Sequence, residues 1–293
     1  MTASKYEVFI KAAELGGLTR AAEYFGCTQS NVSHLLNSLE SEFGFRLMYR
    51  GRGGARLTPE GQRILPEVRT VAAALEELSR AAQEVRGPDA GTIRVGAFSS
   101  VAVHWLPGII KSFQAEYPKT ELKLLNGDYH DVDLWLMNGE VDVAFITLPT
   151  ELDCEVIPLC EDRLMAVLPP DHPKAGPGRL PVREIEGEPF ITLLETSDQD
   201  SRRTVEAAGV TPDIRFTTKD DYAIIAMVEN GLGMSIMPKL LLEGHEGEVC
   251  MMELDPPSVR TIALALPGKK NGSAAAGRFA EYVRRWVAQR GAR

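Results

Sequence analysis

FIKAAELGGLTRAAEYFGCTQSNVSHLLNSLESEFGFRLMYRGRGGARLTPEG, Phe9 to Gly61, is the stretch on which the architecture turns. Together with Tyr6 just upstream, Phe9, Ile10 and Ala13 recur three or four residues apart, the spacing of one helix face, and Gly16-Gly17 closes that helix. Thr19 stands where an N-cap would open a second short helix, whose inner face of Ala21, Ala22 and Phe25 is small enough for close contact before Gly26-Cys27 breaks the pattern. Thr28 can cap a third helix, with Val32, Leu35, Leu36 and Leu39 along one side. Two short helices joined by a tight turn make a helix-turn-helix.

The outward side of the third helix indicates what the motif is for. Gln29, Ser30, Ser33, His34 and Asn37 cluster there, all uncharged hydrogen-bonding types able to read base edges in a major groove. An ordinary solvated helix face mixes Lys with Glu, whereas this one has no charge before Glu40. Beyond it, Arg46, Arg50, Arg52 and Arg56 occur with no acid among them, in a segment that also holds Gly51, Gly53 and Gly54. Such a loop suits a phosphate backbone, and charge alone leaves a solvated surface loop equally open. Residues 1–58 carry more bases than acids although the whole chain is at −9, so basicity is concentrated at this end.

After Pro59, apolar residues recur at Ile64, Val68, Val71, Leu75, Leu78, Ala82 and Val85 in alternating steps of four and three. This heptad seam would extend about 33 Å at 1.5 Å per residue. Its narrow stripe suits a helix partner better than packing on its own domain. Gly87-Pro88-Asp89 then ends the helix as a hinge.

From Gly91 the rhythm becomes strand, helix, strand. Strands are expected at Ile93–Val95, Leu122–Leu125 and Val141–Ile146, with helices at Val101–Tyr117 and Val132–Asn138, an alternation that builds a parallel sheet. A second set follows: strands at 164–168, 190–193, 214–217 and 234–237, and helices at 202–208 and 222–229. Asn138-Gly139 and Asn230-Gly231 close corresponding helices, which implies two similar lobes. Asp162–Pro169 and Thr261–Pro267 would cross between the lobes, and a last helix, Ala274–Gln289, would return to the first. Ligands of such lobes sit beyond the carboxyl ends of strands, which selects Ser99 and Ser100 (hydroxyls at a helix start, suited to an anion), Gly127-Asp128, Thr147 and the loop Thr196–Ser201.

These residues carry a family resemblance. Thr19-x-Ala21-Ala22, Thr28-Gln29, Val32-Ser33, Leu39-Glu40, Phe43-Gly44, Leu47, Arg50 and Leu57-Thr58-x-x-Gly61 resemble the winged helix-turn-helix of LysR-type transcriptional regulators. Arg163-Leu164-x-x-Val167-Leu168-Pro169 and Gly231-Leu232-Gly233-x-Ser235-Ile236-x-Pro238 resemble the effector domain of the same family, so the likeness spans nearly the whole chain. It implies an N-terminal all-α winged helix-turn-helix followed by an α/β, two-lobed, periplasmic-binding-protein-like effector domain. The expected division is a DNA-binding domain at 1–58, a linker and dimerisation helix at 59–87, and an effector domain at 88–293, with lobe I at 91–161 and 267–293 and lobe II at 162–266. Implied DNA contacts are Thr19, Thr28, Gln29, Ser30, Asn31, Ser33, His34 and Asn37, with Arg50, Arg52 and Arg56 of the wing along phosphates and minor groove. Ser30-Asn31 stands where the family more often has Pro-Ala, and His34 where Arg is frequent. Implied effector contacts are Ser99, Ser100, Asp128, Thr147, Thr196, Asp198 and Ser201. Asp128, Asp198 and Asp200 disfavour a strongly anionic effector, so an amine-bearing or zwitterionic molecule is expected.

The implied partners are promoter duplex DNA, that small molecule, and further copies of the chain as a homodimer or homotetramer. A solute-binding protein with no DNA role is the alternative. With 293 residues, 44% apolar and 25% charged, the chain reads as two globular domains, and its apolar runs fall short of a bilayer span. No basic-then-apolar leader opens it, so a cytoplasmic location is expected. Four cysteines lack C-x-x-C spacing and read as buried small hydrophobes. The histidines lack metal-ligand spacing, and His130 among Asp128, Asp131 and Asp133 reads as a solvated helix start in preference to a metal site. No serine elbow or complete phosphate loop is present, and Gly231-x-Gly233 lacks a third glycine, so neither an enzyme nor a cofactor is expected.

Overall fold

The structure, a computed structural model, describes residues 4–51, 54–84, 91–194, 200–268 and 273–291. It forms two compact units, Met1–Val85 and Arg86–Arg293.

In the first unit, α1 (Lys5–Glu14) starts on a capping box: Ser4 Oγ accepts from the Glu7 N–H at 3.2 Å and Glu7 Oε2 from the Ser4 N–H at 2.7 Å. The second helix, α2 (Leu18–Tyr24), begins earlier than expected. Gly17 holds the cap position with no side-chain bond, and Thr19 is exposed inside the first turn. Burial of Leu18, 7% exposed, draws the chain into the helix ahead of the threonine. In α3 (Gln29–Phe43) the cap is as expected, with Thr28 Oγ1 accepting from the Asn31 N–H at 3.3 Å. The wing is the antiparallel pair β1 (Met48–Gly51) and β2 (Gly54–Leu57). Gly54 has φ 115, and a Cβ there would lie 2.7 Å from the Gly16 carbonyl oxygen, which accepts from the Ala55 N–H at 3.0 Å. Only glycine lets the wing dock so closely on the turn between α1 and α2. Val8, Phe9, Val32, Leu36, Leu39 and Leu47, all fully buried, centre this core.

From Pro59 runs α4 (Pro59–Glu84). Val68 still reaches the core, but further along the seam Val71, Leu75 and Leu78 are 43%, 42% and 66% exposed. The side chain of Ala82 and all of Val85 lie outside the described residues.

The second unit opens with β3 (Gly91–Ala97), α5 (Ser99–His104), α6 (Leu106–Glu116), β4 (Thr120–Asn126), α7 (Tyr129–Met137) and β5 (Val143–Leu148). The single helix expected over Val101–Tyr117 is two, broken at Trp105, because Pro107 near the start of α6 has no N–H to continue the earlier ladder. Next come β6 (Cys154–Leu168), β7 (Arg179–Pro181), β8 (Pro189–Leu193), α8 (Asp200–Ala207), β9 (Asp213–Thr218), α9 (Asp221–Glu229), β10 (Ser235–Pro238), β11 (Cys250–Pro267) and α10 (Ala274–Gly291).

The crossovers are far longer than the apolar runs suggested. β6 and β11 pair antiparallel with each other through both lobes, so the large sheet, in order β10-β6-β11-β5-β3-β4, is mixed, not parallel. Parallel pairing holds within lobes, at β3–β4, β3–β5 and β8–β9. The polar stretches of β6 and β11 hid their strand character, because residues such as Asp162 and Arg260 are buried against each other and not against an apolar core. The repeated lobe ending is real: Asn138 and Asn230 cap α7 and α9, and Gly139 and Gly231 follow with φ 68 and 74, each turning the chain toward the next strand. On one sheet face α5, α6 and α10 cover Ile93, Val95, Phe145 and Leu264, and α7 covers Ala144 and Ile146 on the other. In lobe II, Val205 of α8 and Ile224, Ile225 and Val228 of α9 belong to two further apolar clusters.

Candidate functional site

The third helix presents the face that its sequence suggested. Val32, Leu36 and Leu39 are fully buried, which turns Gln29, Ser30, Asn31, His34 and Asn37 to solvent, with Ser33 half-buried. Of the wing arginines, Arg50 is committed within the fold. Its Nη2 donates to Asn37 Oδ1 at 2.7 Å and to Glu40 Oε2 at 2.9 Å. The other Glu40 oxygen accepts from the Leu47 and Met48 N–H groups at 2.8 and 3.2 Å, so this carboxylate ties the recognition helix to the wing. Arg56 is exposed opposite Tyr49, which is itself 59% exposed, and the pair forms the outer face of the wing. Arg52 lies outside the described residues. Sequence reasoning missed Tyr49 and the Asn37–Arg50 link, since neither follows a helical spacing.

In the second unit a cleft of about 400 Å³ opens between the lobes. Ser99, Ser100, Asp128 and Ser201 come together in its lining. Thr147 does not: it is 8% exposed and lines a separate cavity with His130, Asp133 and Glu151. Thr196 and Asp198 lie outside the described residues. Asp128 caps α7, with its Oδ1 accepting from the Asp131 N–H at 2.8 Å and Asp131 Oδ2 accepting from the Asp128 N–H at 3.2 Å.

The floor of the cleft is a buried polar cluster absent from the sequence-based candidates. The guanidinium of Arg260, whose side chain is 3% exposed, donates to Asp162 Oδ2 from Nε at 3.0 Å and from Nη2 at 2.7 Å, from Nη2 also to Ser100 Oγ at 2.8 Å, and from Nη1 to the Tyr129 hydroxyl oxygen. Tyr129 in turn donates to Asp200 Oδ2 at 2.7 Å. The Leu240 N–H completes Asp162 through Oδ1 at 3.0 Å. Burial pushes the Tyr129 hydroxyl well above the ordinary phenol value, so it stays a proton donor at neutral pH. Burial likewise raises the Asp162 carboxyl, against the pull of Arg260. Tyr129 stands on lobe I and Asp200 on lobe II, and their bond crosses the cleft. The available signal was a single base, Arg260, just ahead of the apolar run Ile262–Leu266.

The four cysteines are free and half-buried, and burial foremost pushes the Cys160 thiol up to about 11. Among the described residues no His, Cys, Asp or Glu group is placed to hold a metal ion, and no helix is long and apolar enough to cross a membrane.

Comparison with known proteins matches residues 4–62 to the bacterial regulatory helix-turn-helix protein, lysR family, and residues 86–288 to the LysR substrate binding domain. The uncharacterized HTH-type transcriptional regulator YvbU of Bacillus subtilis is 33% identical over 287 residues, covering 97% of this chain and 98% of the relative. Among solved structures, a single-residue variant of full-length OxyR from Pseudomonas aeruginosa is similar at a TM-score of 0.70 and 25% identity, covering 97% of this chain and 95% of that one. HinK, a LysR family transcriptional regulator from the same species, is similar at 0.61 and 27%, covering 97% of each.

Proposed function

Because the chain belongs to the LysR family, and is thus a DNA-binding transcriptional regulator with an effector-binding domain, we propose that it acts in the cytoplasm as a homodimer or homotetramer that reads promoter DNA and answers to a small amine-bearing or zwitterionic molecule. The observation that carries the reading is the solvent-facing, uncharged side of α3. Thr28 caps that helix; Gln29, Ser30, Asn31, Ser33 and His34 contact base edges, with Thr19 beside them. Arg56 and Arg52 approach phosphates, while Arg50 and Asn37 set the wing against the recognition helix. The exposed seam Val71, Leu75 and Leu78 supports dimerisation through α4, which would give a roughly palindromic operator. Residues 1–58, 59–87 and 88–293 divide these tasks. Effector binding among Ser99, Ser100, Asp128 and Ser201 shifts the lobes and with them the spacing of the recognition helices, and a coupling of about 1–3 kcal/mol makes a useful switch. Thr196 and Asp198, from the loop ahead of α8, complete the proposed effector contacts, whereas Thr147, which lines the separate cavity, is not among them. The homologues are regulators, and we assign no catalytic activity.

Selection of genomic fragments by the purified full chain tests this. Wild type should enrich discrete sites, and Gln29→Ala or Ser33→Ala should weaken them by about 1–3 kcal/mol while sparing nonspecific DNA. Failure to enrich any fragment at moderate salt would favour a solute-binding protein. Equal loss on both kinds of DNA would remove these side chains from base reading.

A further inference from the structure

The cluster at the cleft floor does not balance its charge. Arg260 and Asp162 form a closed pair: the guanidinium donates twice to one carboxylate oxygen and the Leu240 N–H satisfies the other. Asp200 is left over. Its side chain is only 10% exposed, its Oδ2 accepts from the neutral Tyr129 hydroxyl, and the nearest cationic atom, Arg260 Nη1, is 3.8 Å away. Among the described residues nothing bonds its Oδ1, although Asp200 lines the cavity. The start of α8 offsets about half a charge at most. A buried carboxylate is costly unless it is paired, so an excess of one negative charge beside an open cavity is completed by whatever enters the cavity.

The rim has the same sign but a different cause. Asp128 and Asp131 cap α7, and Asp220 Oδ1 accepts from the Tyr222 N–H at 2.9 Å to cap α9. Those carboxylates are explained by the fold and Asp200 is not. They nevertheless exclude anions, since Lys219 is the one other base among the described lining residues besides Arg260, and Arg260 already spends four of its five donors inside the protein.

We propose, resting on the reading of this cleft as the effector site, that the effector is a cationic amine and that Asp200 receives its charge through Oδ1. An ammonium there joins lobe II to the Tyr129 hydroxyl of lobe I through a shared carboxylate, so occupancy tightens the contact between the lobes.

Thermal melts of the purified full chain test the proposal, with diaminobutane and phenylethylamine as probes against the matched carboxylates adipate and phenylacetate. Asp200→Asn keeps an acceptor for Tyr129 and removes the unbalanced charge. Without ligand it should melt about 2–4 °C above wild type, the shift expected for roughly 1 kcal/mol in a unit of this size. At least one amine should raise the wild-type Tm, neither carboxylate should, and the amine response should vanish in Asp200→Asn. An Asn variant no more stable than wild type, a Tm raised by a carboxylate, or no response to either amine overturns the proposal. Operator enrichment by the same preparation separates the two readings: enriched sites with a failed amine test remove only the ligand class, whereas no enriched sites remove the regulator reading.

Discussion

Replacing Asp162 by Ala takes away the acceptor of two Arg260 bonds, from Nε at 3.0 Å and Nη2 at 2.7 Å, where the partner side chains are 3% and 8% exposed. Removing one partner of a buried ion pair costs about 3–5 kcal/mol, because the remaining charge stays out of water. Two features place this case at the low end: Ser100 and Tyr129 still accept from the guanidinium, and Asp200 lies 3.8 Å from Nη1, close enough to take over part of the pairing. A loss of about 3 kcal/mol corresponds to a Tm lower by about 6–12 °C for a unit of this size. Trp105, Trp135 and Trp286 are the only tryptophans and all belong to Arg86–Arg293, so a melt followed by tryptophan fluorescence reports on that unit alone. The triple variant Asp162→Leu, Asp200→Asn and Arg260→Met removes every charge of the cluster, including the Asp200 carboxylate 3.8 Å from Nη1, and should recover most of the loss. A single variant melting within about 2 °C of wild type, or a triple variant no better than the single, would refute the account of these charges as a mutually dependent buried unit.

Exposed Arg56 should contribute through phosphate charge, so Arg56→Ala should lower the slope of log affinity against log salt by about one unit, and an unchanged slope would remove it from the DNA contact. Leu75→Asp with Leu78→Asp should shift the sedimentation profile toward monomer, because both side chains face solvent on α4; an intact dimer would place the interface elsewhere. Lys174 donates to Glu188 Oε1 at 2.7 Å, and this bond holds the Glu188 carboxyl below its ordinary value. The pair's stabilisation is therefore full above the unfolded carboxylate value and is lost as pH falls through the folded one. Lys174→Met should accordingly melt lower at neutral pH and lose less on acidification, and parallel acid limbs for the two proteins would contradict it.

Periodicity made the first unit readable. Val32, Leu36 and Leu39 recur on one side of a capped helix, and a side with no charge stands opposite, so the buried face and the exposed face both follow from local spacing. Thr19 misled because capping preference is a local tendency of about 1 kcal/mol, and burial of Leu18 outweighs it. In the second unit the strands β3, β5 and β8 could be read as short apolar runs. β6 and β11 could not be read to their full length, because they pass from one lobe to the other and change environment along the way.

Linear order thus accounts for what depends on neighbours three or four residues away: the helix-turn-helix, the seam of α4 and the paired lobe endings at Gly139 and Gly231. The cleft floor belongs to another level. Ser100, Tyr129, Asp162, Asp200 and Arg260 come from five elements and as much as 160 positions apart, and none is unusual in its own segment. Their meaning lies in shared burial, which turns ordinary surface residue types into one cluster whose charges must be satisfied together, and no local pattern encodes which distant side chains will share that space.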